Sequence, residues 1–191
     1  MGLFGGTPAD WLIVGLGNPG SRYEGTPHNV GFEIARELRR RWELPEPRKR
    51  FNGLLSQGRA GPGLPRVAVL EPLTFMNRAG DAAGPARGAL RTELDRVLVV
   101  HDEIDLAFGD VRSRLGGGLA GHNGLKSLKA GFGSAEFHRV RTGVGRPEST
   151  DPETVAGYVL GRWQQAPDEV RALVERAAAA AEQIVLGGGE A

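Results

Sequence analysis

The chain has 191 residues, of which 40% are hydrophobic, 25% charged and 6% aromatic, a composition that excludes disorder over most of its length and supports one buried core. Lys and Arg number 24 against 23 Asp and Glu, for a net charge of +1, so nucleic acid cannot be held by charge spread over the whole surface and any contact must come from a local patch. With 0 cysteines, disulfides, thiolate metal sites and cysteine nucleophiles are excluded, and a reducing, cytoplasmic setting is expected.

In chain order, the lead from Met1 to Asp10 reads as loosely ordered, without the apolar core of a signal peptide. Trp11-Leu12-Ile13-Val14 is a short apolar run that stops in the turn-rich Gly15-Leu16-Gly17-Asn18-Pro19-Gly20, as a buried strand ending in a loop does. Thr26-Pro27 predicts a helix start, and Val30, Ile34, Leu38 and Trp42 recur behind it to an end near Leu44-Pro45. Leu54-Leu55 and Arg66 to Leu70 flank the Gly/Pro-rich Gly58 to Pro65 and predict a hairpin. A helix follows within Gly80 to Leu94, weakened by Gly84-Pro85, before the strand Val97 to Val100, which runs straight into His101-Asp102-Glu103. Val111 to Leu115 and His138 to Val144 are further strands, separated by Gly116-Gly117-Gly118 and a short helix from about Asn123 to Ala130. Val170, Leu173, Val174, Ala177, Ala181 and Ile184 form the stripe of a last helix from about Pro167 to Leu186, followed by a loose tail at 187–191. Strands alternating with helices predict a single α/β domain over 11–186, a three-layer sandwich with a twisted, mostly parallel mixed sheet. No run approaches the roughly 18 to 20 apolar residues of a membrane span.

Gly15-Leu16-Gly17-Asn18-Pro19-Gly20 fits G-x-G-x-x-G after a strand, the signature of dinucleotide binding. The surroundings argue against it. Pro19 removes an amide that should face the pyrophosphate, the helix opens only at Thr26-Pro27, and Glu37 lies inside a helix where the ribose-binding acid should end a strand.

His28 falls at the start of its helix, where the positive end of the macrodipole favours a neutral imidazole able to accept a proton; a simple capping role is the other reading. Asp102 follows the most apolar strand, at the carboxyl edge where α/β sites form, and can orient a histidine or serve as a turn residue. His101, Asp102, Glu103 and Asp105 lack the spacing of a metal site. Asn18, Asn77 and Asn123 stand at loop positions, where an amide suits a turn, a bound peptide backbone, a water or an oxyanion. No G-x-S-x-G elbow is present, so water is the simplest nucleophile. Arg112 and Arg114 share one strand face, as do Arg139 and Arg141, with Lys126 and Lys129 on the intervening helix, in positions open to phosphate or to solvent.

Together, Val14 to Gly20 with Tyr23 and His28-Asn29, Thr74-Phe75-Met76-Asn77, His101-Asp102-Glu103, and Gly116-Gly117-Gly118 with Gly121 to Lys126 closely resemble the bacterial peptidyl-tRNA hydrolase family. Phe137 to Arg141 and Gly157 to Gly161 extend the resemblance through most of the chain. It implies hydrolysis of the ester between peptide and tRNA 3′ ribose, without metal or cofactor, by a monomer that needs no protein partner. His28 would be the general base, Asp102 its orienting carboxylate and Asn18 a ligand of water or substrate. Asn77 and Asn123 would hold the peptidyl backbone and aid the oxyanion, with Tyr23, Phe75 and Met76 lining the cleft. Arg114 and Arg141, supported by Arg112 and Lys126, would bind tRNA phosphates, arginine standing at 112 and 114 where the family often has lysine. A catalytically silent RNA-binding relative is the alternative.

Overall fold

A computed structural model describes residues 7–187 and 189. Of the segments expected to be loose, residues 1–6, 188, 190 and 191 lie outside the described residues. Ala9 and Asp10 are tied down, their N–H groups donating to Leu90 O at 3.1 Å and Arg66 O at 2.9 Å.

The two apolar runs become the middle of the sheet. Trp11–Gly15 (β1) and Val97–Glu103 (β5) are buried at every residue, as strands covered on both faces must be. They pair in parallel, Leu12 opposite Val97 and Gly15 opposite Val100. Arg66–Pro72 (β4) pairs in parallel with β1, and His138–Gly143 (β7) with β5. The margins are antiparallel: Arg48–Arg50 (β2) and Gly53–Arg59 (β3) beyond β4, and Val111–Leu115 (β6) beyond β7. The strand order is β2-β3-β4-β1-β5-β7-β6.

Helices cover both faces, in the expected three layers. Val30–Arg41 (α1) and Pro167–Leu186 (α5) pack with Ile13, Leu98, Val100 and Val140 in one core. Ala79–Leu90 (α2) and Asn123–Phe132 (α3) pack with Leu12, Val14 and Val99 in the other. Pro152–Leu160 (α4) stands beside the first helical segment.

Several boundaries differ from expectation. The segment beginning at Thr26-Pro27 opens as one 3₁₀ turn, Pro27–Asn29, before α1. Thr26 makes no cap; its hydroxyl donates to Tyr23 O at 2.7 Å. α1 ends at Arg41, short of Leu44-Pro45, because Glu43 turns left-handed at φ 48°. β2 and α4 were not legible as elements. No described helix is long and apolar enough to cross a membrane.

Two glycines let α1 press onto the sheet. A Cβ on Gly31 would lie 2.4 Å from Leu16 O and 2.5 Å from Val100 O, and one on Gly15 would lie 2.5 Å from Gly31 O. Buried Glu71 of β4 then holds α1 in register by accepting from Arg36 Nε at 2.9 Å and from Arg39. The consequence for the site is that the turn carrying His28 is drawn against the carboxyl ends of β1 and β5.

Candidate active site

Asp102 lies in β5 and its side chain is 3% exposed. Its carboxylate accepts two imidazole N–H groups. His28 Nδ1 donates to Oδ2 at 2.9 Å across a sequence separation of 74, and His122 Nε2 donates to Oδ1 at 2.8 Å. These partners hold Asp102 well below the usual carboxylate range against the opposing effect of burial, with His28 and His122 both contributing. It therefore stays an anion.

The bond from Nδ1 fixes the His28 tautomer and leaves Nε2 as the ring's basic nitrogen. Burial lowers the His28 pKa, but the charge and hydrogen bond of Asp102 outweigh it, and the net shift is upward. The expectation of a ring kept neutral by a helix dipole is corrected here: His28 sits in the 3₁₀ turn ahead of α1 and is governed by its carboxylate. A raised pKa means a stronger base, populated in its free form at slightly higher pH.

His122 is the N-cap of α3, where its Nδ1 accepts from the N–H groups of Gly124 at 3.1 Å and Leu125 at 3.4 Å. Its lone pair is thus committed to the helix end, and its Nε2 hydrogen to Asp102. Behind it, the His101 ring lies edge-on at 5.2 Å between centroids. Burial first, and then His122, lower the His101 pKa to about 3.

Asn18 follows β1 and is anchored on three sides. Its N–H donates to Asn29 Oδ1 at 2.9 Å, and Asn29 Nδ2 donates back to Asn18 O at 2.9 Å. Asn18 Oδ1 accepts the Met76 N–H at 2.8 Å. With its oxygen engaged, the amide has its two Nδ2 hydrogens left to offer. Beside these groups lies a cleft of about 440 Å³ that His28, Asp102, His122 and Asn123 share with an apolar wall of Ile104, Val155, Val159 and Leu160. The arrangement joins a base with a fixed tautomer, a permanent anion behind it and uncharged donors nearby, which is the equipment for activating water.

The profile described as Peptidyl-tRNA hydrolase matches residues 12–191. The peptidyl-tRNA hydrolase of Geobacillus kaustophilus is 43% identical over 175 residues, spanning 91% of this chain and 92% of that protein. That of Halalkalibacterium halodurans is 43% identical over 164 residues, spanning 86% of this chain and 85% of the relative. A crystal structure of the Acinetobacter baumannii peptidyl-tRNA hydrolase superposes with a TM-score of 0.81 at 34% identity, covering 96% of this chain and 92% of that one. The chain belongs to the peptidyl-tRNA hydrolase family.

The motifs that carry the family resemblance meet at one end of the sheet only in part. His28, Asp102 and Asn123 share the cleft, and Asn18 is joined to Met76 by a hydrogen bond. Met76 is buried, whereas Asn77 and Asn123 are exposed. Phe75 is 57% exposed and lines a separate groove. Tyr23 is half-buried in the turn after β1, with Arg22 over its ring at 5.6 Å.

The arginines fall on one face of the β6/β7 pair, Arg112 opposite Arg141 and Arg114 opposite Arg139. Arg112, Arg114 and Lys126 are exposed, while Arg141 donates from Nε to Glu103 Oε2 at 3.2 Å. Arg139 differs from its neighbours: it is buried and donates to Gly118 O at 2.7 Å and to Gly116 O, clamping the glycine run. Gly117, at φ 93°, lies under the Arg114 guanidinium, where a Cβ would sit 2.3 Å from its carbon.

Sequence reasoning missed two residues that hold this arrangement together, His122 on Asp102 and Asn29 on Asn18. His122 was read as the residue before a helix, although its N-cap position ahead of Leu125 and Leu128 was visible. Asn29 stands in the His28-Asn29 motif, whose sequence carries no sign of its reciprocal bonds to Asn18. His122 also completes a His28, Asp102, His122 group whose ligand atoms lie within 4.8 Å of one another, a juxtaposition that the spacing around Asp102 alone could not display. Its hydrogen bonds already account for the placement of all three side chains.

Proposed function

We infer that this chain hydrolyses the ester joining a peptide to the 3′ ribose of tRNA. Membership of the peptidyl-tRNA hydrolase family supports the reaction class, and one observation supports the mechanism: His28 Nδ1 stands 2.9 Å from buried Asp102 Oδ2. His28 Nε2 takes a proton from water as the water oxygen attacks the ester carbonyl. The tetrahedral intermediate collapses by expelling the ribose 3′ oxygen, which recovers the proton from the imidazolium. Asp102 stabilises that cation and holds the ring in place; proton removal of this kind is worth about 10²- to 10⁴-fold in rate.

Asn18, through Nδ2, orients the water or the carbonyl, and Asn77 and Asn123 hold the peptidyl backbone and the developing oxyanion. Tyr23, Phe75 and Met76 contact substrate around them. Arg112, Arg114, Lys126 and Arg141 bind tRNA phosphates, the β6/β7 pairing giving a fixed spacing of positive charge. Residues 11–186 act as one catalytic unit, with His28, Asp102 and Asn123 on one cleft, and the family resemblance implies a monomer without an obligate protein partner. The absence of cysteine from the sequence agrees with a cytoplasmic setting.

The deciding experiment measures release of N-acetylaminoacyl groups from tRNA in EDTA, beside the unblocked aminoacyl form. Multiple turnovers on the blocked ester are expected. Tight tRNA binding without release would overturn the reading in favour of a silent RNA-binding relative.

A further inference from the structure

One buried charge takes no part in the chemistry above. Arg139 of β7 is 2% exposed, and no carboxylate pairs with it among the described residues. A buried cation is ordinarily matched by an anion. This one is answered by main chain alone: Nη1 donates to Gly118 O at 2.7 Å and Nη2 to Gly116 O, while Nε is buried with no partner. The planar fork thus takes the two carbonyls that bracket Gly117, a grip that the point charge of a lysine does not reproduce.

The glycines make that grip possible. Gly116 and Gly117 are left-handed at φ 66° and 93°, and only glycine takes two such positions in succession without strain. Gly117 in turn abuts Arg114, since a Cβ there would sit 2.3 Å from the guanidinium carbon and 2.6 Å from Nη2. Arg114 stands opposite Arg139 in the β6/β7 register. The run held by the buried arginine is therefore the surface against which the exposed one rests. The far end of the loop has its own anchor: His122 donates to Asp102 at 2.8 Å and caps α3.

We propose that Arg139 is a positioning residue for tRNA, which fixes the glycine run, and with it the Arg114 guanidinium, and so sets tRNA affinity without touching tRNA. The proposal rests on the reading of Arg114 as a phosphate ligand. An exposed arginine loses rotamer freedom when it settles on a phosphate, and a rigid backbone surface beneath its guanidinium removes part of that loss in advance. His122 and Asn123 lie beyond the second anchor, so the hydrolytic step does not depend on the clamp. An arginine that served the fold alone would change the amount of native protein and leave KM where it is.

The test is steady-state ester release from N-acetylaminoacyl-tRNA by Arg139→Lys, Arg114→Ala and the double variant. Arg139→Lys is expected to raise KM about tenfold and to keep kcat within about twofold of wild type. With Arg114 already replaced, the lysine is expected to raise KM no further, because both changes remove the same contact. A fall in kcat at unchanged KM, an unmoved KM, or effects on KM that multiply in the double variant would overturn the proposal. Gly117→Ala leaves Arg139 in place and displaces Arg114 directly; it is expected to raise KM likewise, and it decides the matter should Arg139→Lys fail to fold. Equilibrium binding of tRNA to the same proteins repeats the comparison without chemistry: the log-log salt slope should fall by about one in each single variant and by no more in the double. Ester release by the wild-type protein decides the parent reading separately. Were release absent, a slope lowered by Arg114→Ala and unchanged by Arg139→Lys would still refute the role of Arg139.

Discussion

The chemistry of His28 is set by two opposing influences, burial that disfavours the imidazolium and Asp102 that favours it, and the second wins. Replacing the carboxylate by its uncharged isostere separates them. In Asp102→Asn, burial acts unopposed, so the His28 pKa should fall and the acid limb of the kcat/KM profile should move to lower pH. In the wild type the same limb should lie above about 6.5, the ordinary imidazole value. The isostere also loses an acceptor for one ring N–H, so kcat should drop about 10²- to 10⁴-fold. A pH–rate profile of both proteins checks this; an unmoved limb would mean that Asp102 does not govern the base. At this scale His28, Asp102 and Asn18 were legible because each stands at the end of an apolar run or beside a helix start. His122 and Asn29 were not, because their roles depend on bonds to Asp102 and Asn18 across 20 and 11 residues of chain, and no local pattern encodes a distant partner.

Between elements, the decisive contact is the one between α1 and the ends of β1 and β5. Glycine to alanine inside a helix ordinarily gains up to about 1 kcal/mol from propensity. At Gly31 the added carbon would meet backbone atoms of Leu16 and Val100 at 2.4–2.5 Å, and backbone cannot step aside. Gly31→Ala should therefore cost about 1–3 kcal/mol in urea unfolding, and should lower kcat by lifting His28 from Asp102. Gly88→Ala in α2, with nothing within 4 Å of its Cβ, should be neutral or stabilising; equal effects at both sites would refute the packing account. β1, β5 and α5 were readable because burial on both faces, or on one stripe, writes itself into apolar spacing. β2 was unreadable, since Arg48-Lys49-Arg50 forms a fully exposed edge strand. α4 was unreadable too: it carries Gly157 and only Val159 is buried, so its helical stripe is too faint to stand out. The role of the glycine run at 116–118 was unreadable as well: its carbonyls accept from Arg139, a contact that pairing across β6 and β7 brings about.

Across the whole molecule, the same ring nitrogens shape stability against pH. His101 titrates near 3 in the fold and near 6.5 when unfolded. Between those values the unfolded chain holds a proton that the native state lacks, so stability falls as pH drops below about 6.5, by about 2 kcal/mol at pH 5. His138, also lowered by burial, acts in the same direction. His28 has the opposite sign: its raised pKa gives stability that is complete below about 6.5 and lost as pH rises through the folded value. Urea midpoints should therefore decline from pH 6.5 to 5, and His101→Asn should flatten that decline; a slope unchanged by the substitution would assign it elsewhere. The layered sheet serves one end, bringing His28 and Asp102, separated by 74 residues, to 2.9 Å. The most direct measurement is ester release from N-acetylaminoacyl-tRNA by His28→Ala, with tRNA affinity measured on the same protein. Turnover should fall at least about 10²-fold while affinity stays essentially unchanged. Hydrolysis at the wild-type rate would contradict the account.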